Sequence, residues 1–283
     1  MLNIQRVDES NTWEETSGLT AVDRLESGGV ATVERTEEVV VTPRNLTRSD
    51  LTIFDLLMSK VTVSVVIPTL NEVKNLPHVF ERIPPEISEL IIVDGNSTDG
   101  TPELARELWP GVRIVNQTGK GKGNALAAGF WAARGDIVVM LDADGSTDPA
   151  EIPRFVAALL TGADFAKGTR FVTGGGSADI TLMRRLGNRI LAELVNRIWK
   201  VDYSDLCYGY NAFWARCLPG MSVDCAGFEV ETLINIRAAR SKLRVVEVPS
   251  FEATREHGVS NLNVRRDGMR VLRTIIAERV RPI

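Results

Sequence analysis

The chain has 283 residues, of which 44% are hydrophobic and 25% charged, and its formal net charge is −4 at pH 7. This length suits one large domain or a core with additions, and the acidic balance argues against a dedicated nucleic-acid binder. Three cysteines without CxxC spacing and only two histidines argue against a zinc site, a disulfide framework and a histidine-rich metal centre.

Residues 1–60 differ in composition from the rest of the chain. They are rich in Glu, Asp, Thr and Ser and show no long periodic pattern. We expect an N-terminal extension that is partly disordered or folded over the main domain. Within it, short strands are predicted at residues 29–34 and 38–41, and a short helix at residues 51–58.

Strands and helices alternate from Val61 onwards. Apolar runs predict four strands, and amphipathic stretches predict helices between them. The predicted strands are residues 61–67, 90–93, 112–116 and 137–141, and the helices are 71–83, 97–108 and 123–134. Strands alternating with helices of roughly 10 to 15 residues indicate βαβ units and a parallel sheet.

The second half of the chain has a less regular order. A short strand is predicted at residues 163–167 and another at 243–248, with a mixed-sheet region around 205–210. Helices are predicted at residues 182–200, 228–239 and 264–280. We therefore expect a main domain over residues 61–262 and a basic amphipathic C-terminal helix within residues 263–283.

The C-terminal helix has two different faces. Gly268, Val271, Leu272, Ile275 and Ile276 share one face, and arginines occupy much of the other. Such a helix either packs on its own domain or lies on an anionic membrane surface. No apolar run approaches the roughly 18 residues that span a bilayer, and a signal-peptide pattern is missing. We expect a cytoplasmic protein, at most peripheral on the cytoplasmic face of a membrane.

Polar clusters follow three of the predicted strands, at Pro68–Glu72, Asp94–Gly100 and Asp142–Asp144. Parallel strands bring these clusters to one edge of the sheet, where α/β proteins bind ligands. Asp142 and Asp144 are hard oxygen ligands that suit Mg2+ or Mn2+ held against a phosphate, although D-x-D also occurs in solvated turns. Asp94 can accept hydrogen bonds from a base or ribose.

A loop of alternating glycines and lysines, Gly119–Asn124, precedes the third helix. Such a loop at a helix N-terminus can face phosphates, and a flexible solvated loop is an equal alternative. It has the spacing of neither a Walker P-loop nor a Rossmann fingerprint.

Together these motifs resemble the family 2 glycosyltransferases with a GT-A fold, most closely the dolichyl or polyprenyl-phosphate mannose synthases. The resemblance rests on Val65–Glu72 and Val93–Thr101 and extends over residues 61–262. It implies an α/β fold with a mostly parallel nucleotide-binding sheet flanked by helices and a C-terminal mixed acceptor region. It also implies that Asp142 and Asp144 hold Mg2+ or Mn2+. The implied nucleotide-sugar site consists of Pro68, Thr69, Leu70, Asn71, Glu72, Asp94, Lys122, Asp142, Ala143 and Asp144.

Later segments resemble the same branch. Gly168–Phe171 resembles a G-S-R-Y segment, which implies that Arg170 meets phosphate, and Arg184 lies at the spacing of a second phosphate-facing arginine. Asp205–Tyr210 resembles a segment near the acceptor, and Arg255–Ser260 resembles R-x-x-G-x-S. Three departures weaken the case for a lipid-phosphate acceptor: Asn261 replaces a lysine, Ser146 a glutamine metal ligand, and Gly95 a common aspartate.

The resemblance implies an inverting transfer of a sugar from GDP-mannose or a UDP-sugar to a polyprenyl phosphate. Arg184 and Arg255 would position that anionic acceptor by bidentate hydrogen bonds. The alternative is a soluble small-molecule acceptor hydroxyl, which needs a base. Asp205 is the first candidate and Glu229 the second, whereas Glu231 is predicted on an exposed helix face.

Two other classes are less favoured, and the oligomeric state stays open. A nucleotidyltransferase would have a glycine-rich loop after the first strand, where residues 68–72 offer none. A non-catalytic nucleotide-binding module is the remaining class.

Overall fold

The computed structural model describes residues 60–258 and 263–282, so the elements predicted within residues 1–59 lie outside it. Nine strands are present in this part of the chain. They are β1 (Val63–Thr69), β2 (Glu89–Asp94), β3 (Arg113–Asn116), β4 (Ile137–Met140), β5 (Phe165–Thr169), β6 (Gly176–Ser177), β7 (Asn211–Trp214), β8 (Val245–Pro249) and β9 (Phe251–Glu252).

Seven α-helices and two short 3-10 segments, Pro149–Glu151 and Ala215–Met221, connect these strands within the described residues. The helices are α1 (Leu76–Phe80), α2 (Thr101–Leu108), α3 (Lys122–Ala132), α4 (Ile152–Leu160), α5 (Leu182–Trp199), α6 (Val230–Arg240) and α7 (Val264–Val280). None of them, over the residues described, combines the length and the apolar character needed to cross a membrane.

Seven strands form one sheet in the order β3-β2-β1-β4-β7-β5-β8. Only β7 runs antiparallel to its two neighbours, and the other pairs in this sheet are parallel. The buried strands are nearly continuous apolar runs, as in ELIIVD of β2 and IVVM of β4, because helices cover both faces of the sheet. The predicted mostly parallel sheet flanked by helices is confirmed.

Each face of the sheet carries its own apolar core. One core joins the sheet to α1, α2 and α4, and includes Phe80 and Phe155. The other joins it to α3 and α6, and includes Phe130 and Ile234. A third cluster lies among α5, α6 and α7, where α7 contributes the buried Val271 and Ile275. The C-terminal helix therefore packs on its own domain through its apolar face.

Two predicted elements differ from the structure. The helix predicted over residues 71–83 is confined to α1, because Asn71 has a left-handed φ of 56° and the chain turns before Pro77 can start the helix. The mixed part of the sheet, which was predicted at residues 205–210, is formed by the next residues, in β7. Residues 205–210 form no strand and lead into β7, which is the antiparallel strand.

The approach of α3 to the sheet depends on Gly129. A Cβ there would lie 2.3 Å from Val66 Cγ1 and 2.8 Å from Val93 Cγ2. We expect Gly129→Ala to lower the free energy of unfolding by about 1–3 kcal/mol, the usual cost of overpacking a core. Urea denaturation measures this, with Gly187→Ala in α5 as the matched control. A Cβ at residue 187 meets nothing within 4 Å. Gly187→Ala should therefore raise the free energy of unfolding by about 0.5–1 kcal/mol, because alanine loses less backbone entropy in a helix than glycine does. Equal stability of the two variants would contradict the packing argument.

Candidate functional site

The carboxyl ends of β1, β2 and β4 lie side by side. In the β1–β2 register Thr69 is opposite Asp94, and β4 pairs with the other side of β1. The three polar clusters that follow these strands therefore meet at one edge of the sheet, as predicted from their positions in the sequence.

The loops after β1 and β2 are joined by hydrogen bonds. Asn71 Oδ1 accepts from Thr98 N at 2.8 Å, and Asn71 N donates to Ser97 Oγ at 2.9 Å. Asp94 Oδ2 accepts from Ser97 N at 3.0 Å, whereas Asp94 Oδ1 is buried and has no partner among the described residues. This edge thus keeps a carboxylate oxygen that can accept a hydrogen bond from a nucleoside.

The other predicted residues of this edge differ in exposure. Pro68 and Thr69 end β1, and Thr69 is buried with its hydroxyl 3.4 Å from Val93 O. Leu70 is half exposed. Glu72 Oε2 accepts from Asn75 Nδ2, and Glu72 Oε1 lies 3.4 Å from Arg255 Nη1. Burial raises the pKa of Glu72 above its usual range, although these two partners oppose the shift.

The two aspartates after β4 have different partners. Asp142 Oδ1 lies 2.5 Å from Lys122 Nζ. Asp144 Oδ1 accepts from the backbone and the hydroxyl of Ser146, at 3.0 and 2.6 Å, and its Oδ2 lies 2.8 Å from Arg255 Nη2. Ala143 between them is buried, so the backbone of this turn is fixed by the core.

These two carboxylates fit a divalent cation. Mg2+ in nucleotide enzymes is usually held by one or two carboxylates together with substrate phosphates. In the described part of the chain, no group of three or more His, Cys, Asp and Glu side chains is arranged around a metal position. Asp142 and Asp144 thus match a site that is completed by a diphosphate.

The loop after β9 covers this turn. Ala253 N donates to Ser146 O at 2.8 Å and Glu256 N to Asp144 O at 3.3 Å. Arg255 lies between Asp144 and Glu72, and its guanidinium links the ends of β4 and β1.

Lys122 begins α3 and contacts two carboxylates. Its Nζ lies 2.6 Å from Glu231 Oε1, in addition to Asp142. Burial alone would lower the pKa of Lys122, but the two carboxylates raise it above the ordinary value, so the amine stays charged. The glycine–lysine loop is therefore anchored at the site, through Lys122, and is not a freely solvated segment at that position.

The prediction that Glu231 lies on an exposed helix face is wrong. Its exposed fraction is 4%, and burial raises its pKa. Helix α6 is buried on all sides from Val230 to Ala238, between the sheet and the helices α5 and α7. In the sequence of this helix Glu231 shares a polar arc with Thr232 and Asn235, so the apolar pattern gave no signal that this carboxylate is buried.

Asp205 does not have the environment of a general base. It is fully buried and accepts from Arg170 Nε at 2.7 Å and Arg170 Nη2 at 3.0 Å. Burial would raise the pKa of Asp205, but the charge and hydrogen bonds of Arg170 outweigh it and hold this pKa below its usual range. Both carboxylate oxygens of Asp205 thus accept hydrogen bonds from Arg170, and this pairing fixes the orientation of the guanidinium.

Arg170 itself has little freedom to meet a phosphate. Its Nη1 donates to Glu252 Oε2 at 3.0 Å, so each of its three nitrogens already donates to a carboxylate. Glu229, the second candidate base, accepts from Gly227 N at 3.0 Å and so fixes the turn before α6.

A cleft of about 200 Å³ joins the aspartates to helices α5 and α7. Six of the predicted site residues line it, namely Lys122, Asp142, Asp144, Arg170, Arg184 and Arg255. Arg184 donates to Asp179 at 3.0 Å from the first turn of α5. The wall between these charges is apolar and includes Met183, Leu191 and Val271. Asp205 and the sheet edge at residues 68–72 and 94, which we call the nucleotide edge after its predicted role, are outside this lining.

An apolar stripe on α5 borders the cleft. Leu182, Leu186 and Ile190 recur every four residues and expose 85, 57 and 59% of their surface. The arginines Arg185 and Arg189 are exposed on the same helix.

Comparisons with known proteins agree with this geometry. The family described as glycosyl transferase family 2 matches residues 64–218. Dolichol-phosphate mannosyltransferase of Pyrococcus furiosus is 36% identical over 211 residues, which are 71% of this chain and 59% of that protein. Polyprenol monophosphomannose synthase of Mycolicibacterium smegmatis is 34% identical over 70% of this chain and 80% of its own. Undecaprenyl-phosphate mannosyltransferase of Micrococcus luteus is 34% identical over 71% of this chain and 87% of its own length.

Among solved structures, similar chains include glucosyl-3-phosphoglycerate synthase of Mycobacterium tuberculosis. Its complex with phosphoglyceric acid has a TM-score of 0.65 and 25% identity over 81% of this chain and 84% of that chain. Its complex with Mn2+, UDP and phosphoglyceric acid has the same TM-score and identity over 84% of both chains. The predicted GT-A fold is confirmed.

Proposed function

Because this chain belongs to glycosyltransferase family 2, we propose that it transfers a sugar from a nucleotide-diphosphate sugar to a polyprenyl phosphate, inverting the anomeric centre. The donor is GDP-mannose or a UDP-sugar. The observation that carries this proposal is the cleft that Asp142, Asp144, Arg184 and Arg255 line together. It provides carboxylates for a cation and arginines for an anion, with Arg255 beside Asp144 and Arg184 on α5.

The donor half would use the sheet edge. Asp94 Oδ1, which has no partner among the described residues, would accept a hydrogen bond from the nucleoside. Asp142 and Asp144 would hold Mg2+ or Mn2+ against the diphosphate, and the bound cation would supply Lewis-acid stabilisation of the leaving group. The related structure with Mn2+ and UDP supports this arrangement.

The acceptor half would use the arginines. A phosphate acceptor is already anionic and needs no general base, which suits a site whose predicted base, Asp205, is buried against Arg170. Arg184 and Arg255 would orient the phosphate by charge-assisted hydrogen bonds. Arg255 pairs with Asp144 and Glu72, so it would break both ion pairs in order to contact the phosphate.

A polyprenyl acceptor would place this face of the chain on a bilayer. The exposed stripe of α5 borders the cleft and could enter the lipid interface, while Arg185 and Arg189 would face anionic headgroups. The relatives named as acting on dolichol, polyprenol and undecaprenyl phosphates support a lipid acceptor.

The test uses vesicles with and without polyprenyl phosphate. We expect labelled GDP-mannose or a labelled UDP-sugar to give a product that extracts into organic solvent only when the lipid phosphate is present. The full chain should sediment with these vesicles, and Leu186→Glu should weaken that association at least several-fold, because it places a charge in the apolar stripe. The exposed Glu193→Gln on the same helix is the matched control.

No lipid-linked product with any donor would reject the lipid acceptor. A water-soluble product formed from small hydroxyl acceptors would then favour the alternative, which the similarity to a synthase crystallised with phosphoglyceric acid also supports.

A further inference from the structure

We infer that Glu231, together with Lys122, binds hydroxyl groups of the donor sugar and thereby selects which sugar is transferred. This inference rests on the proposed function, since it requires a nucleotide-sugar in the cleft. Glu231 is not used by the mechanism described so far.

The first argument is the order of groups along the site. In a donor, the diphosphate lies between the nucleoside and the sugar. In this chain, Asp142 and Asp144 lie between the nucleotide edge around Asp94 and the cleft that Glu231 lines. A diphosphate held at the aspartates with its nucleoside on the sheet edge therefore directs its sugar into the cleft.

The second argument is the contact chain to the reacting centre. Lys122 Nζ lies 2.5 Å from Asp142 Oδ1 and 2.6 Å from Glu231 Oε1. Glu231 and Asp142 thus contact the same ammonium group. A sugar ring attached to a diphosphate at Asp142 can reach Glu231 over this short separation.

The third argument is the chemistry of the wall. An ionised carboxylate has about four lone-pair directions, and Lys122 accounts for one of them on Glu231. Asn188 lines the same cleft. Its Oδ1 accepts from Leu206 N and Cys207 N, and its Nδ2 is buried without a partner among the described residues. Acceptors and a donor on one wall match sugar hydroxyls, which both donate and accept.

The fourth argument is the space kept open beside this wall. A Cβ on Gly209 would lie 2.8 Å from Asp142 Oδ2 and 2.9 Å from Lys122 Nζ. A side chain at residue 209 would therefore collide with Asp142 and Lys122, and the glycine leaves open the part of the cleft that these residues line with Glu231.

The experiment compares a nucleoside diphosphate with its sugar conjugate. Full-length wild type and Glu231→Gln are titrated with GDP, GDP-mannose, UDP and UDP-glucose in the presence of Mn2+, by calorimetry. We expect the variant to bind GDP and UDP as wild type does. Its affinity for the preferred nucleotide-sugar should fall about 10- to 100-fold, the value of a hydrogen bond to a charged group. Donor analogues that lack the recognised hydroxyl should bind the two proteins equally.

A second buried lysine–glutamate pair provides the control. Lys167 Nζ lies 3.4 Å from Glu247 Oε1, and neither residue lines the cleft. Glu247→Gln should leave the binding of every ligand unchanged. If Glu231→Gln does not fold, Glu231→Asp, which keeps the charge but shortens its reach, takes its place.

The outcomes separate the two proposals. Equal weakening of nucleoside diphosphate and nucleotide-sugar by Glu231→Gln would mean that Glu231 only positions Asp142 through Lys122, and would overturn this inference alone. Failure of wild type to bind any nucleotide-sugar would overturn the proposed function, and this inference with it.

Discussion

Replacing Asp144 with alanine should lower the rate of sugar transfer about 1,000-fold while leaving the fold intact. Asp144 is one of two carboxylates that fit the divalent cation, and a bound cation is worth several kcal/mol in charge stabilisation, with each 1.4 kcal/mol changing a rate about tenfold. Its carboxylate contacts the polar groups of Ser146 and Arg255, so its loss removes no apolar packing. Initial rates at saturating donor measure the effect, and the midpoint of thermal unfolding checks the fold.

Asp148, at the end of the same loop, provides the matched control. It pairs with Arg82 on the surface and caps a short 3-10 turn. Asp148→Asn should change the rate less than threefold, an order-of-magnitude expectation for a surface ion pair. A second readout is binding: Mn2+ should strengthen nucleoside diphosphate binding to wild type and to Asp148→Asn but not to Asp144→Ala. Transfer that resists both Asp144→Ala and a chelator would remove Asp142 and Asp144 from the mechanism.

The second large effect concerns stability. Arg170→Met should lower the free energy of unfolding by about 3–5 kcal/mol, because removing one partner of a buried ion pair leaves an uncompensated charge. Asp205 is fully buried, and the two hydrogen bonds from Arg170 at 2.7 and 3.0 Å are its main compensation. Chemical denaturation at pH 7 measures the loss.

The pH dependence tests the same explanation. In wild type the pKa of Asp205 lies below its value in the unfolded chain. The contribution of this carboxylate to the free energy of unfolding is therefore fully present above about pH 4 and is lost as the pH falls further. In Arg170→Met, burial without the arginine should raise this pKa, so the variant regains stability as the pH falls from 7 towards 4. The difference between the two proteins should therefore narrow on acidification. The double variant Arg170→Met with Asp205→Asn should recover part of the stability at pH 7, and a constant difference across this pH range would contradict the buried-charge account.

The first half of the fold was predictable because its signals are local. Strands β1, β2 and β4 are apolar runs that end in polar clusters, and the parallel pairing rule then brings these clusters together without any further information. The antiparallel β7 was not placed, because its position between β4 and β5 depends on pairing with strands far away in the sequence. Helix α1 was overestimated, since the left-handed backbone of Asn71 is not encoded in an apolar pattern.

The site divides in the same way. Asp142, Asp144 and Asp94 belong to short motifs at strand ends, and the structure brings them to one edge. The burial of Glu231 and the ion pair of Asp205 were not predicted, because each depends on one distant cation, Lys122 or Arg170. A carboxylate within a helix or a loop gives no sign in the sequence of the charge that it will meet in three dimensions.

The position of β7 also sets the order in which a nascent chain can assemble. Residues Val138 and Phe165 both lie opposite Phe213, so β4 and β5 cannot join one sheet until the chain beyond them has been made. Until β7 has been synthesised, β4 has no partner on its inner edge, and unpaired strand edges are templates for aggregation. The part of the cleft that Glu231 lines is completed later still, when α6 covers the finished sheet. A nascent chain that ends before Phe213 thus lacks both the strand that joins β4 to β5 and the helix that carries Glu231.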